Sequence, residues 1–232
     1  MTPQSLDRPT RPGIHPKCSS VTPCASVDSV ATTRRQALTD LRRHEILAAA
    51  IKVFGKKGFA ATSVDDIAAA AKIAKGTLYL YFRSKEDIYT TAVQQTIRQL
   101  QTVVAERVAA TDGVRNKLAI TIAIRLEFWL DHQNLYRLII TVGREQKHRR
   151  QTNDVLRAGH DAFVAILQEA VAAGEIKSQP YESFDSLAWA ILDMIRGCNE
   201  RRLDNQTTNT PQQDAATITT IALQHLGLAT SN

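Results

Sequence analysis

No stretch of this 232-residue chain stays apolar for the ~18–20 residues that a bilayer span needs, so no membrane anchor is expected. Behind Arg8, Arg11 and Lys17 there is no apolar run, which argues against a secretory signal. Cysteine is scarce: Cys18, Cys24 and Cys198 form no even framework and predict free thiols in a reducing cytoplasm. His15, Cys18 and Cys24 lack a fourth ligand and any CxxC spacing, so no metal site is expected. The chain also lacks an activated nucleophile, carboxylates paired at a useful spacing, and a glycine-rich nucleotide turn. Neither a catalytic residue nor a cofactor is expected.

What is present is helix. Residues 1–36 are rich in Pro, Ser and Thr, poor in aromatics, and read as a disordered tail that ends in Arg34 and Arg35. Beyond them the apolar spacing is helical almost throughout, and no segment alternates as a strand does. The first expected helix spans 41–57, with Thr39 or Asp40 as its cap and Ile46, Leu47, Ala50, Ile51 and Phe54 on one face. Gly55 and Gly58 end it. Ser63 with Asp66 forms a capping box for a short helix over 63–71, a shorter one covers 75–82, and Ser84 with Asp87 opens a long helix to 110. Asp112 and Gly113 break it. Further helices are expected at 115–131, 133–143, 147–173, 181–203 and 212–227, punctuated by Gly174, Pro180 and Pro211. The fold class is all-α with about nine helices: a small unit over 37–83, then a larger bundle over 84–228 whose first helix, 84–110, connects the two.

Charge is concentrated. Residues 34–87 hold 11 Lys/Arg against 6 Asp/Glu, whereas the other residues hold 18 against 17. A local excess of +5 suits a bound polyanion. Within it lies Ala68 to Tyr89, "AAAAKIAKGTLYLYFRSKEDIY", where lysines and tyrosines crowd a segment too short to be a stable helix alone. Phe54, Ile67, Ile73, Leu78 and Phe82 are expected to hold it from beneath. That leaves Lys75, Thr77, Tyr79, Leu80 and Tyr81 for other faces, with hydroxyl and ammonium donors suited to phosphate oxygens. Gly76 would let a base edge or sugar come close, and the helix start at Ser84, beside Lys85, offers unsatisfied amides. Second and third helices joined by three or four residues make a helix-turn-helix.

The stretch "FGKKGFAATSVDDIAAAAKIAKGTLYLYFRSKEDIY" resembles the DNA-binding domain of the TetR family of bacterial regulators, in order and in spacing, over about residues 41–88. The bundle is similar only in length and helix count. The resemblance implies that Lys75, Gly76, Thr77, Tyr79, Leu80 and Tyr81 face the major groove, that Thr62 or Ser63 caps the second helix and touches a phosphate, and that Lys85 reaches the DNA backbone. Arg34 and Arg35 would form an arm near the minor groove. Two residues depart from the family turn, usually Gly-Val-Ser. Lys72 stands where the glycine takes a left-handed conformation, at a cost of ~1 kcal/mol, and Ala74 replaces the capping serine at a similar ~1 kcal/mol.

The helix expected at 115–131 is apolar nearly all round and therefore central, interrupted by Arg125 and Glu127, which pair with other helices or with an effector. The resemblance implies a ligand cavity in the bundle, lined by a subset of Leu100, Val104, Leu126, Trp129, Tyr136 and Phe163. It also implies a dimer interface on the last two helices through Phe184, Leu187, Ile191, Ile195, Ile218 and Ile221. A C2 dimer would set two reading helices ~34–36 Å apart, one turn of B-DNA. The expected partners are thus double-stranded operator DNA, a second copy of the chain, and a small apolar or amphipathic effector. Effector binding would release a repressor. An all-α enzyme or carrier of an apolar molecule remains the alternative, to be separated by salt-dependent retention on DNA. Two chance matches are set aside. Tyr81 and Lys85 have the spacing of short-chain dehydrogenases without the nucleotide turn, and Gly55-Lys-Lys-Gly58 has that of an RNA-clamping KH loop without its strands.

Overall fold

The computed structural model describes residues 27–143, 149–177 and 181–228, all of whose regular elements are helices. In chain order these are α1 (Val27–Lys57), α2 (Val64–Ala70), α3 (Lys75–Tyr79), α4 (Lys85–Ala109), α5 (Val114–Asp131), α6 (Gln133–Gly143), α7 (Arg149–Ala172), α8 (Tyr181–Leu203) and α9 (Pro211–His225). The first correction concerns α1, which begins at Val27, inside the segment expected to be a tail. No Gly or Pro interrupts the chain between Pro23 and Gly55, so nothing stops the helix earlier. Thr39 and Asp40 are therefore interior residues, not caps. The Thr39 hydroxyl donates back to Arg35 O and Asp40 accepts from Gln36 Nε2. The remainder of the expected tail, with His15, Cys18 and Cys24, lies outside the described residues, as do residues 144–148 and the side chains of Arg34, Arg149 and Arg150.

Among the described residues, those up to Asp40 and those from Leu41 onward form two units. The second unit has two hydrophobic cores. One gathers Ile46, Phe54, Ile67, Leu78, Phe82 and Tyr89 beneath α1–α3 and continues through Leu100 on α4 to Trp129 on α5 and Tyr136 on α6. The residue-84 boundary falls inside this core, so α4 shares its apolar face with both neighbours. The other core gathers Leu118, Ile122 and Leu126 of α5, Phe163 and Leu167 of α7, Ile191 of α8 and Ile218 of α9. α5 packs against α4, α7, α8 and α9, the central position its apolar composition requires.

The ends of the helices follow their sequences. Gly58 closes α1 with φ 78°, its N–H donating to Phe54 O. The Ser63–Asp66 capping box is complete in both directions. At α4 only half forms: Ser84 Oγ accepts from Asp87 N–H, but the Asp87 carboxylate accepts from Arg83 N–H rather than Ser84 N–H. Glu175 reaches across from the end of α7 to accept the first amide of α5, Val114 N–H, at 2.7 Å. Gly55 is a packing requirement as well as a helix-end signal, since a Cβ there would stand 2.9 Å from Asn134 Oδ1.

Candidate nucleic-acid interface and bundle cavity

α2 and α3 are joined by a tight turn at Lys72, which has φ 56°. A lysine occupies the left-handed position that the family gives to glycine. The turn is held by Lys72 N–H donating to Ala69 O and Ile73 N–H to Ala68 O. Ala74, at the N-cap of α3, supplies no side-chain bond. Regular α3 stops at Tyr79, three residues short of the expectation, because Leu80 and Tyr81 N–H turn to the carbonyls three residues back, Thr77 O and Leu78 O. Leu78 and Phe82 are buried and pin this short element to α1, where Arg43 lies 4.5 Å over the Phe82 ring and donates to Tyr81 O.

The outward side of α3 carries Lys75, Gly76, Tyr79 and Leu80, the last 82% exposed. Thr77 and Tyr81 are half-buried at its edges. Lys75 makes an exposed 2.8 Å ion pair with Asp65 that a phosphate would displace at little cost. Gly76 has no positive φ, and a Cβ on it would meet nothing within 4 Å. Neither backbone geometry nor packing inside the protein calls for glycine there. Ser63 is exposed at the start of α2, with Asp66 held well below the usual carboxylate range by Lys57, at 2.6 Å, and by Ser63.

Two residues of the expected contact set are placed otherwise. Thr62 is buried and its hydroxyl donates inward to Gly58 O, so of the pair only Ser63 is a capping residue on the surface. Lys85 does not extend toward solvent. Its ammonium donates to Phe59 O at 2.8 Å, Ala60 O at 3.3 Å and Thr62 O at 2.8 Å, and stands 4.6 Å over the Phe59 ring. All three donors close the α1–α2 loop onto the start of α4. Lysine's three hydrogens match three converging carbonyls of this loop, of which Phe59 O also accepts from Thr62 N–H at 3.3 Å.

Within the bundle, α4 to α8 enclose a cavity of about 370 Å³, lined by Ile97, Leu100, Trp129, Tyr136, Ile139 and Ile195 among others. Three of the six expected lining residues, Leu100, Trp129 and Tyr136, are in its wall. Leu126 and Phe163 are fully buried in the second core instead, and Val104 packs into the first, where they fill space between helices. Burial, with Glu200 nearby, pushes the Tyr136 phenol well above its usual range. Sequence reasoning missed Gly159, Leu192 and Asn199 in the wall. A glycine in the middle of α7 was the signal for one of them, since a Cβ at Gly159 would approach Leu192 Cδ2 to 3.0 Å and Arg125 Nη1 to 3.1 Å. Of the two charges on α5, Glu127 accepts from Gln212 of α9, while Arg125 lines the cavity.

The expected interface residues Phe184, Leu187, Ile191, Ile195 and Ile218 are buried inside the subunit, against α5 and α7; only Ile221 is exposed, at 44%. The inward stripe of each helix is the more apolar one, so the apolar residues that the resemblance assigned to an interface fill the core instead. The outward side of α8 presents Ser186, Ala190, Met194 and Gly197. With Thr217 and Ile221 of α9, Met194 and Gly197 border an open groove of about 320 Å³. A buried Arg202–Asp214 pair at 2.6 Å ties α8 to α9 beneath it.

Residues 46–92 match the family model for bacterial regulatory proteins of the tetR family. The fatty acid metabolism regulator protein of Bacillus subtilis is 29% identical over 136 residues, 57% of this chain and 70% of that protein. The transcriptional repressor NicS of Pseudomonas putida is 25% identical over 60% of this chain and 65% of its own length. Among solved structures, a TetR-family regulator of Syntrophomonas wolfei superposes with a TM-score of 0.71 at 19% identity, over 83% of this chain and 99% of that one. FadR of Bacillus subtilis, crystallised with stearoyl-CoA, superposes at 0.69 with 24% identity, over 78% and 98%. The helix-turn-helix geometry, the order of nine helices in the described residues and these likenesses agree: residues 46–92 form a DNA-binding domain of the tetR family of bacterial regulatory proteins, and the chain as a whole has the fold of that family's regulators.

Proposed function

We propose that the protein is a homodimeric repressor, held on double-stranded operator DNA by α3 and released when a small apolar or amphipathic effector fills the cavity between α4 and α8. The observation that carries this reading is the outward side of α3. Lys75, Gly76, Tyr79 and Leu80 leave the protein surface together on a helix anchored from below, and Leu80 and Gly76 have no purpose in the fold itself. Tyr79 and Lys75 supply donors for phosphate, Gly76 admits close approach, and Leu80 offers apolar contact to a thymine methyl. Ser63, Thr77 and Tyr81 complete the proposed contacts at the edges. Lys85 serves them indirectly, by fixing α2 and α4 to each other.

The dimer forms through the outward sides of α8 and α9, where small residues on α8 allow close helix approach around Met194 and Ile221. α4 is the lever. Its first residue is clamped to the reading head, and Ile97, Leu100 and Gln101 line the cavity, about 20 Å along the helix at 1.5 Å per residue. An effector that favours a different α4 position changes the separation of the two heads. By linkage, operator DNA weakens effector binding by the same factor. The named activity of the Bacillus subtilis relative and the acyl-CoA bound in FadR support an acyl-type effector.

The test is retention on random duplex DNA across a salt series, for the wild type and for Gly76→Leu. Wild-type affinity is expected to fall steeply with salt. Gly76→Leu removes a helix-interior glycine and so melts no earlier, yet loses at least a hundredfold in DNA affinity. Wild-type protein that ignores DNA at low salt, or a Gly76→Leu variant that still binds as tightly, overturns the reading.

A further inference from the structure

The cavity wall is largely apolar, and its polar side chains are Gln101, Arg125, Tyr136, Arg196, Asn199 and Glu200. Arg125 of α5 is 6% exposed, its Nε has no hydrogen-bond partner, and no described carboxylate comes within ion-pair distance of it. Its guanidinium carbon lies 5.5 Å from the centroid of the Phe163 ring. Burial lowers its pKa to about 10, so at neutral pH it remains a cation. Folding an unpaired cation into an apolar wall is unfavourable, and a structural role would have given it an acid. Gly159 of α7 makes the room: a Cβ there would stand 3.1 Å from Arg125 Nη1, tighter than an ordinary contact, and would press the guanidinium aside.

A second unpaired donor borders the same space. Asn199 Oδ1 accepts from Arg202 Nη1 at 3.1 Å. A guanidinium has donors only, so this bond fixes which way the amide points. Nδ2 is thereby left buried without an acceptor, on a residue that lines the cavity. Glu200 and Arg196 also border it on α8, with opposite charges, and Arg196 is already paired with Asp193 at 2.9 Å. Arg125 is thus the cation that the described protein leaves uncompensated in this wall.

Resting on the effector reading above, we infer that the effector is an amphipathic monoanion whose carboxylate is held by the Arg125 guanidinium, with its hydrocarbon body along Leu100, Trp129 and Ile139. One planar guanidinium matches one carboxylate in charge and in bidentate geometry; a phosphate dianion would leave charge unbalanced in an apolar wall. Asn199 offers a hydrogen bond to a further acceptor on the same molecule. The geometry therefore separates free acids from apolar molecules of the same shape.

The experiment uses the full chain in a Trp189→Phe background, so that fluorescence reports Trp129 in the cavity wall. Fatty acids from octanoate to palmitate, and the alcohols of equal length, are titrated into this protein and into Arg125→Met. The expected result is that the best acid binds at least tenfold more tightly than its alcohol. In Arg125→Met that preference vanishes, alcohol binding persists, and the unliganded melting temperature does not fall. Equal binding of acid and alcohol by the parent protein overturns the carboxylate anchor while leaving an apolar effector in place. A lowered melting temperature with the acid preference intact shows Arg125 to be structural and also overturns it. If neither series binds at any length, the effector reading fails together with the anchor.

Discussion

Restoring the turn before α3 is a perturbation whose size follows from the backbone. Lys72 sits at φ 56°, where a residue with a Cβ is disfavoured by about 1–2 kcal/mol. Glycine removes that strain but gives back about 0.5–1 kcal/mol of unfolded-chain entropy, so Lys72→Gly should stabilise by about 0.5–1 kcal/mol. Ala74 has the extended backbone of an N-cap, φ −68° and ψ 147°, and no side-chain acceptor for the first amides of α3. Ala74→Ser supplies one, for about 1 kcal/mol. Together they amount to about 1.5–2 kcal/mol, or roughly 3–8 °C in Tm for a chain of this size that melts as a unit. Thermal unfolding by circular dichroism gives the sum. Hydrogen exchange at the Leu78 and Phe82 amides shows whether the gain is local to α3. Operator affinity should not follow stability in step, because Lys72→Gly also removes a cation near the proposed interface. A double variant that melts no higher than wild type, with unchanged exchange at those two amides, refutes the strained, uncapped turn.

Three further outcomes are expected. Lys85→Met keeps the stem over Phe59 but removes three bonds to carbonyls; a loss of about 1.5–3 kcal/mol in urea unfolding should accompany weaker DNA binding, whereas unchanged stability would return Lys85 to a direct phosphate contact. Asp66 has a folded pKa depressed by Lys57 and Ser63, so its contribution is complete above the unfolded value near pH 4 and is lost as pH falls toward the folded value; Asp66→Asn should flatten stability against pH in that acid range, and an unchanged slope would contradict the capping role. Ala190→Glu with Ile221→Glu places charges on the outward sides of α8 and α9; light scattering should then find monomers with native circular dichroism, and a persistent dimer would move the interface elsewhere.

The sequence was most legible where local chemistry decides structure. Ser63 with Asp66, Gly58, and the apolar spacing of 114–131 announce a cap, a stop and a central helix without reference to anything distant. The left-handed turn at Lys72 was likewise legible as a departure from a known pattern. Legibility ended where a side chain's direction depends on packing between helices. Leu126 and Phe163 have the same composition signal as Trp129 and Tyr136, yet point into a core instead of a cavity. Phe184 and Ile191 were equally apolar, and only the arrangement of α5, α7 and α9 decides that they face inward. Lys85 was misread for a related reason: a lysine beside a helix start looks cationic and free until three carbonyls from another loop converge on it. The start of α1 at Val27 was hidden by a composition typical of tails, although nothing in 27–40 breaks a helix.

The most direct test of the whole account is fluorescence anisotropy of the purified chain on an operator duplex selected from random sequence, titrated first with protein and then with the best-binding fatty acid. The account predicts two chains per duplex and release of the DNA as the acid saturates Trp129. Binding of one chain per duplex, or a complex that stays intact with the cavity filled, would contradict it.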